Sequence, residues 1–243
     1  MKRQEYDRMF EAEDRHWWYA GMRAISLALL RPQLREPARI LDAGCGTGRN
    51  LVALGAFGAA FGVDLAPEAI DYCRERGVRS VRGSVLALPF RADAFDLVTS
   101  FDVLYHRWVE DDRVAALELG RVLRPGGLLL VRVPALKLLW GAHDSAVHSR
   151  HRYGRQELAE LLEQAGFEVL RTSYANFFLF PLLLLRRSLD RLLRRQGSDL
   201  AFLPAPFEAL FRSLLGLEAR LLGVVSLPVG ASLFALARRR QLT

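Results

Sequence analysis

The stretch Ile40-Leu-Asp-Ala-Gly-Cys-Gly-Thr-Gly48, followed by Phe61-Gly-Val-Asp64, reads as a strand, a glycine-rich turn opening a helix, and a second strand ending in a carboxylate. Glycines at 44, 46 and 48 permit a tight turn and let a ligand approach the backbone where no Cβ intervenes. The helix that follows offers unpaired N–H groups to an anionic part of that ligand. Asp64 falls where a carboxylate accepts both hydroxyls of a ribose. The stretch predicts a nucleoside-containing cofactor.

Outward from this turn, residues 38–133 alternate apolar runs with helix-length amphipathic stretches, the pattern of a parallel α/β sheet. Strands are expected at 38–43, 59–64, 78–82, 95–100 and 127–133, with helices starting near Gly48, Pro67 and Asp111. Residues 154–165 read as an amphipathic helix stopped by Gly166, followed by a strand from Phe167 to Tyr174. A last strand at Ala231–Ala237 completes the expected architecture. It is a Rossmann-like α/β fold with a seven-stranded, mostly parallel sheet, an antiparallel last strand and helices on both faces. The chain reads as one domain over 1–243. Its parts are an N-terminal helical lid (1–35), a cofactor-binding core (36–176 and 227–240) and a hydrophobic, basic helical insertion (177–226).

The chain has 243 residues, 51% of them hydrophobic, enough to bury a sizeable core. Its two cysteines, Cys45 and Cys73, suggest neither a disulfide framework nor a metal-ligand spacing, and the charged first 20 residues do not resemble a secretory signal. A cytoplasmic location is expected. The formal net charge is +7, and the surplus is uneven. Residues 1–170 hold 23 Lys/Arg against 23 Asp/Glu, whereas residues 171–243 hold 11 against 4. A segment both basic and apolar suggests an anionic membrane surface before it suggests nucleic acid, whose recognition motifs are missing.

Two cofactor classes compete for a glycine-rich strand–turn–helix. A nicotinamide dinucleotide calls for G-x-G-x-x-G. Here the pattern is Gly44-x-Gly46-x-Gly48, one residue tighter and preceded by Asp42. With Asp64 after the second strand, it resembles the class I S-adenosylmethionine-dependent methyltransferases. Gly83-Ser-Val-Leu-Ala-Leu-Pro-Phe90 is similar to that family's third-strand loop, Phe95–Ser100 to its fourth strand, and Leu123–Val131 to its approach to the fifth. The resemblance also extends to a bacterial subgroup with a His-Trp-Trp near the N-terminus and a His…Arg-Tyr element after the fifth strand.

The resemblance implies S-adenosyl-L-methionine as the cofactor and assigns roles residue by residue. Gly44, Cys45, Gly46 and Gly48 would line the methionine part, and Asp42 would anchor its ammonium. Asp64 would hold the ribose, and Leu65 would lie against the adenine. Ser84 and Val85 stand where the family usually carries an acidic residue for the adenine amino group. Ser100 and Phe101 would face the sulfonium. Cys45 within the turn reads as inert packing rather than as a nucleophile.

Methyl transfer from a sulfonium is an in-line displacement that needs a general base only when the acceptor arrives protonated. Candidates on the acceptor side lie in two loops, Asp102–His106 and His143–Tyr153. His106, His148 and Tyr153 are the candidate catalytic groups. Trp17, Trp18, Tyr105, His143 and Arg152 are the candidate acceptor-binding groups. The histidines show no diagnostic metal spacing, so no metal is expected. His16-Trp17-Trp18-Tyr19 reads either as part of a lid over the cleft or as aromatics docking a helix on the sheet.

The run Phe177–Leu185 precedes Arg186, Arg187, Arg191, Arg194 and Arg195, and a second apolar helix spans about 206–225. A membrane-surface hairpin, a cap over the site and a dimer interface all fit this pattern. Each places an apolar wall near the acceptor, which points to a small or lipid-linked molecule. The competing readings are a weakly active or inactive cofactor-binding partner protein and a nicotinamide oxidoreductase.

Overall fold

The computed structural model describes residues 3–34, 37–141, 144, 148–192 and 203–241. The strands are β1 Ala38–Ala43, β2 Gly58–Asp64, β3 Arg79–Arg82, β4 Phe95–Phe101, β5 Leu123–Pro134, β6 Phe167–Ala175 and β7 Ser232–Arg239. They form one sheet in the order β3-β2-β1-β4-β5-β7-β6. The first five run parallel, and β7 lies antiparallel between β5 and β6. The α-helices among the described residues include α1 Arg3–Arg15, α2 Trp17–Leu30, α3 Arg49–Leu54, α4 Pro67–Glu75, α5 Asp112–Val122, α6 Arg155–Gln164, α7 Phe180–Leu192 and α8 Ala205–Leu222, with 3₁₀ turns at Gly55–Phe57 and Lys137–Leu139. The expected α/β architecture is the one observed. β5 starts earlier than the apolar run suggests, because Arg124-Pro-Gly-Gly127 is absorbed as a bulge between the pairs Phe95–Leu123 and Leu97–Leu128.

Alternate strand residues point to opposite sides, so a sheet covered on both faces is apolar at every position. Leu41, Val98, Leu129 and Val131 pack against Ala115 and Leu119 of α5 and Leu158 and Leu162 of α6. Their neighbours Ile40, Leu97, Leu128 and Leu130 pack against Met22 and Ile25 of α2 and Leu215 and Leu222 of α8. α2 and α8 touch so closely that a Cβ on Gly21 would overlap the Leu215 side chain.

The N-terminal segment therefore divides in two. α2 is a covering layer of the sheet, and α1 lies over the glycine turn, where a Cβ on Gly46 would stand 3.1 Å from Met9 Cε. The insertion divides likewise. α8 belongs to the core layer, and its fully buried Glu218 accepts the backbone N–H groups of Phe177 and Phe178 at 2.9 and 3.4 Å.

Candidate active site

Gly44, Gly46 and Gly48 adopt φ of +86°, +52° and +86°. Gly44, besides its left-handed backbone, lies against Val103, and a Cβ would overlap that side chain. The turn thus places β1 and the loop after β4 in contact at the carboxyl ends of the strands. That is where open α/β sheets bind ligands.

Asp64, at the end of β2, accepts the backbone N–H of Gly46 at 2.9 Å and that of Ala66 at 3.0 Å. Burial raises its pKa, and these two donors oppose the rise. Asp42 is buried in β1. Its Oδ1 accepts the Thr99 hydroxyl at 2.7 Å, and its Oδ2 meets no partner among the described residues. Burial pushes its pKa up to about 7, against the Thr99 hydrogen bond and the positive charge of Arg132. An orphaned carboxylate oxygen beside a glycine turn is a feature that a cationic ligand group would satisfy.

A cleft of about 930 Å³ opens over these residues. Gly44, Cys45, Gly46, Asp64 and Leu65 line one end, with Ser84 and Val85 beside them. Phe101, Tyr105 and His106 continue the wall, and Trp17, Trp18 and Arg152 also reach it. Asp42, Gly48, Ser100, His148 and Tyr153 are set back from the cleft surface. His143 lies outside the described residues.

Several of these side chains are already engaged. Ser84 accepts the Leu86 N–H at 3.1 Å, and Ser100 donates to the Ala43 carbonyl at 3.1 Å. Tyr153 donates to Asp112 at 2.7 Å and to the Leu104 carbonyl at 3.3 Å, which ties its loop to α5. Arg152 grips Asp144 through two bonds of 2.7 and 3.2 Å and donates to the Ala135 carbonyl at 3.0 Å. His106 stacks on Tyr105, with ring centroids 4.4 Å apart, and His148 packs on Trp108 at 5.0 Å. The thiols of Cys45 and Cys73 are 3.7 Å apart and buried, and their mutual hydrogen bond together with burial pushes the Cys45 thiol up. Among the described residues no cluster of His, Cys, Asp and Glu could hold a metal.

Three features of the cleft were not foreseen from the sequence. Arg132 on β5 is buried, pairs with Asp102 at 2.6 and 2.9 Å, and lies over the rings of Trp18 and Phe101 at 5.0 and 5.1 Å. An arginine inside Leu128-Leu-Leu-Val-Arg-Val133 was the available signal. A polar clamp also fastens α1 to the glycine turn. Arg76 donates to the Thr47 carbonyl at 2.9 Å and pairs with Asp14 at 3.0 Å and Glu13 at 3.5 Å, while the Thr47 hydroxyl donates to Glu13. Burial raises the pKa of Glu13. The third feature is Asn176, which follows β6 at φ +63° and lines the cleft. No local periodicity marks the last two.

Residues 41–131 match the family model described as a methyltransferase domain. A protein of Encephalitozoon cuniculi named as a methyltransferase is 30% identical over 200 residues, covering 74% of this chain and 91% of its own length. A Mycolicibacterium smegmatis protein named as an S-adenosylmethionine-dependent methyltransferase is 36% identical over 136 residues, covering 54% of this chain and 52% of that one. Over 105 residues the chain is 40% identical to a tRNA carboxymethyluridine methyltransferase of Xenopus tropicalis, 43% of this chain but only 17% of that protein. The chain thus spans about half or less of two of these three relatives. Among solved structures, an S-adenosylmethionine-dependent methyltransferase of Thermotoga maritima superposes with a TM-score of 0.61 at 20% identity, over 98% of this chain and 96% of that one. That likeness shows the shared fold.

Proposed function

Because this chain belongs to the class I S-adenosylmethionine-dependent methyltransferase family, we propose that its cleft transfers a methyl group from S-adenosylmethionine to a small or lipid-linked acceptor. The observation that carries this reading is the glycine turn joined to Asp64 through the Gly46 N–H, with the orphaned Asp42 oxygen behind it. In this reading Asp64 and Leu65 hold the nucleoside, Gly44 to Gly48 the methionine part, and Asp42 its ammonium. The cofactor supplies an electrophilic methyl on sulfur. The chain's own part is to hold the acceptor in line with that methyl and to keep water out, an effect worth up to ~7–11 kcal/mol. α1 and the aromatic residues 17–19 form the cover. His106, on the cleft wall, takes the acceptor's proton when the acceptor is a hydroxyl. Tyr153 and His148 hold the loops in place.

Calorimetric titration with S-adenosylmethionine, S-adenosylhomocysteine and NAD tests this reading. The first two are expected to bind with one-to-one stoichiometry. Binding of NAD with no binding of either sulfur compound would replace it with the oxidoreductase reading.

The same reading includes a membrane surface. Among the described residues no helix is long and apolar enough to cross a membrane. However, Leu182, Leu185 and Leu189 of α7 and Phe207, Leu210 and Leu217 of α8 are exposed, with Arg186 and Arg220 exposed beside them. Arg194 and Arg195 lie outside the described residues. An apolar stripe edged by arginines suits anionic headgroups. Co-sedimentation with phosphatidylglycerol vesicles at low salt is the test, and no binding there removes the membrane from the function.

A further inference from the structure

We propose that Asn176 reads a hydrogen-bond donor on the methyl acceptor, and that this acceptor is an amphiphile whose apolar part leaves the cleft past Leu182. The inference rests on the methyl-transfer reading for the word acceptor, and on geometry of its own for the rest.

Asn176 is 5% exposed and lines the cleft. Its Nδ2 donates to the Ser232 hydroxyl at 3.2 Å and points at Met22 Sδ at 4.0 Å. That orientation commits the nitrogen and leaves Oδ1 buried, without a partner among the described residues. A buried amide oxygen with no donor is unfavourable, and a ligand hydroxyl or N–H relieves it. The backbone argues the same way. Asn176 holds φ +63°, a conformation that asparagine adopts more readily than other side-chain-bearing residues, directly after the carboxyl end of β6.

Beside Asn176 the wall carries an apolar strip, next to Arg186 and Arg187 of α7. Leu179, Leu183 and Phe211 line it, and Leu182 both lines the cleft and is 51% exposed. The cleft therefore opens onto the leucine face of α7. Of the guanidiniums that line the cleft, which also include Arg8, Arg186 and Arg187, the buried Arg132 and Arg152 already answer Asp102 and Asp144. A head that presents one hydrogen-bond donor to Asn176, carried on an alkyl or ring body, matches both halves of this wall.

The test uses the full chain and three probes: 4-octylphenol, octylbenzene and phenol. Binding is read by quenching of tryptophan fluorescence, since Trp17 and Trp18 line the cleft. Wild type is expected to bind 4-octylphenol roughly tenfold more tightly than octylbenzene. It is expected to bind 4-octylphenol roughly a hundredfold more tightly than phenol. Asn176→Gly, which keeps the positive φ available, should bind the two octyl probes equally, while S-adenosylhomocysteine affinity stays within about twofold. Asn176→Asp should restore the preference for the phenol. Equal binding of the octyl probes to wild type, or a preference that survives in the glycine variant, overturns the assignment. Phenol binding as tightly as 4-octylphenol overturns the apolar exit. Should S-adenosylhomocysteine fail to bind wild type while the phenol preference holds, methyl transfer falls and the donor-reading subsite stands.

Discussion

The carboxylate of Glu208 accepts the backbone N–H of Trp17 at 2.9 Å, and its other oxygen accepts that of Leu203 at 3.1 Å. One side chain near the start of α8 thus caps the first turn of α2, a helix it meets across 191 residues of sequence. A helix start leaves four N–H groups unsatisfied, and a carboxylate there also favours the helix dipole. Glu208→Ala is expected to cost about 1 kcal/mol. For a chain of this length that is a fall in Tm of roughly 2–4 °C. Differential scanning calorimetry reads it, and an unchanged Tm would mean that water replaces the cap.

Gly44→Ala is expected to weaken S-adenosylhomocysteine binding by more than roughly tenfold, because the new methyl meets both a left-handed backbone and Val103. Adding Val103→Ala relieves the overlap but not the backbone, so the double variant should recover only part of the affinity. Full recovery would show that the backbone conformation carries no cost.

Asp42 supplies a pH signature. Its pKa in the folded protein is raised to about 7 by burial, helped by Glu13 and Asp64 and opposed by Thr99 and Arg132. Between about pH 4 and 7 the native state then holds a proton that the unfolded chain has released, so stability without ligand falls as pH climbs through that window. A ligand ammonium favours the ionised form, so S-adenosylhomocysteine affinity should rise by up to about tenfold from pH 6 to pH 7 and then level off. Asp42→Asn should flatten both profiles. An affinity independent of pH in wild type would separate Asp42 from the ligand.

The α1 clamp can be dissected by a double-mutant cycle. Arg76→Ala leaves Glu13 buried without its guanidinium, and the expected loss is about 3 kcal/mol near neutral pH. The loss should shrink in mild acid, because burial already raises the pKa of Glu13 and protonation removes the unpaired charge. Glu13→Gln combined with Arg76→Ala should cost less than the two single changes added together. Urea unfolding midpoints measure each, and strict additivity would show that the two side chains do not interact.

The sheet and its glycine turn were legible because they are local. β1 and β2 announce themselves as apolar runs, and residues 44–48 combine turn chemistry with a strand on one side and a helix on the other. Nearly all the candidate cofactor residues fall at or just behind one end of the cleft. What escaped is pairwise and distant. Gly21 lies against Leu215, Glu208 against Trp17, and Arg76 against Glu13, and in each case the partners sit on separate elements with no shared period. The loop after the fifth strand marks Arg152 as an acceptor-binding candidate, and only its distance to Asp144 shows a charge already matched. Asn176 is one polar residue between a strand and an apolar helix, and nothing in its neighbours reveals the orphaned oxygen.

The place of β7 between β5 and β6 bears on the order in which the molecule is assembled. During synthesis β6 emerges before β7, yet every ladder bond that joins β6 to the sheet runs through β7. Until residues 232–239 arrive, β5 has a bare edge and β6 has no partner strand. Unpaired edges and exposed apolar surface are what make nascent chains stick to one another. The closing strand is thus also the one that ends the interval in which β5 and β6 stand unpaired.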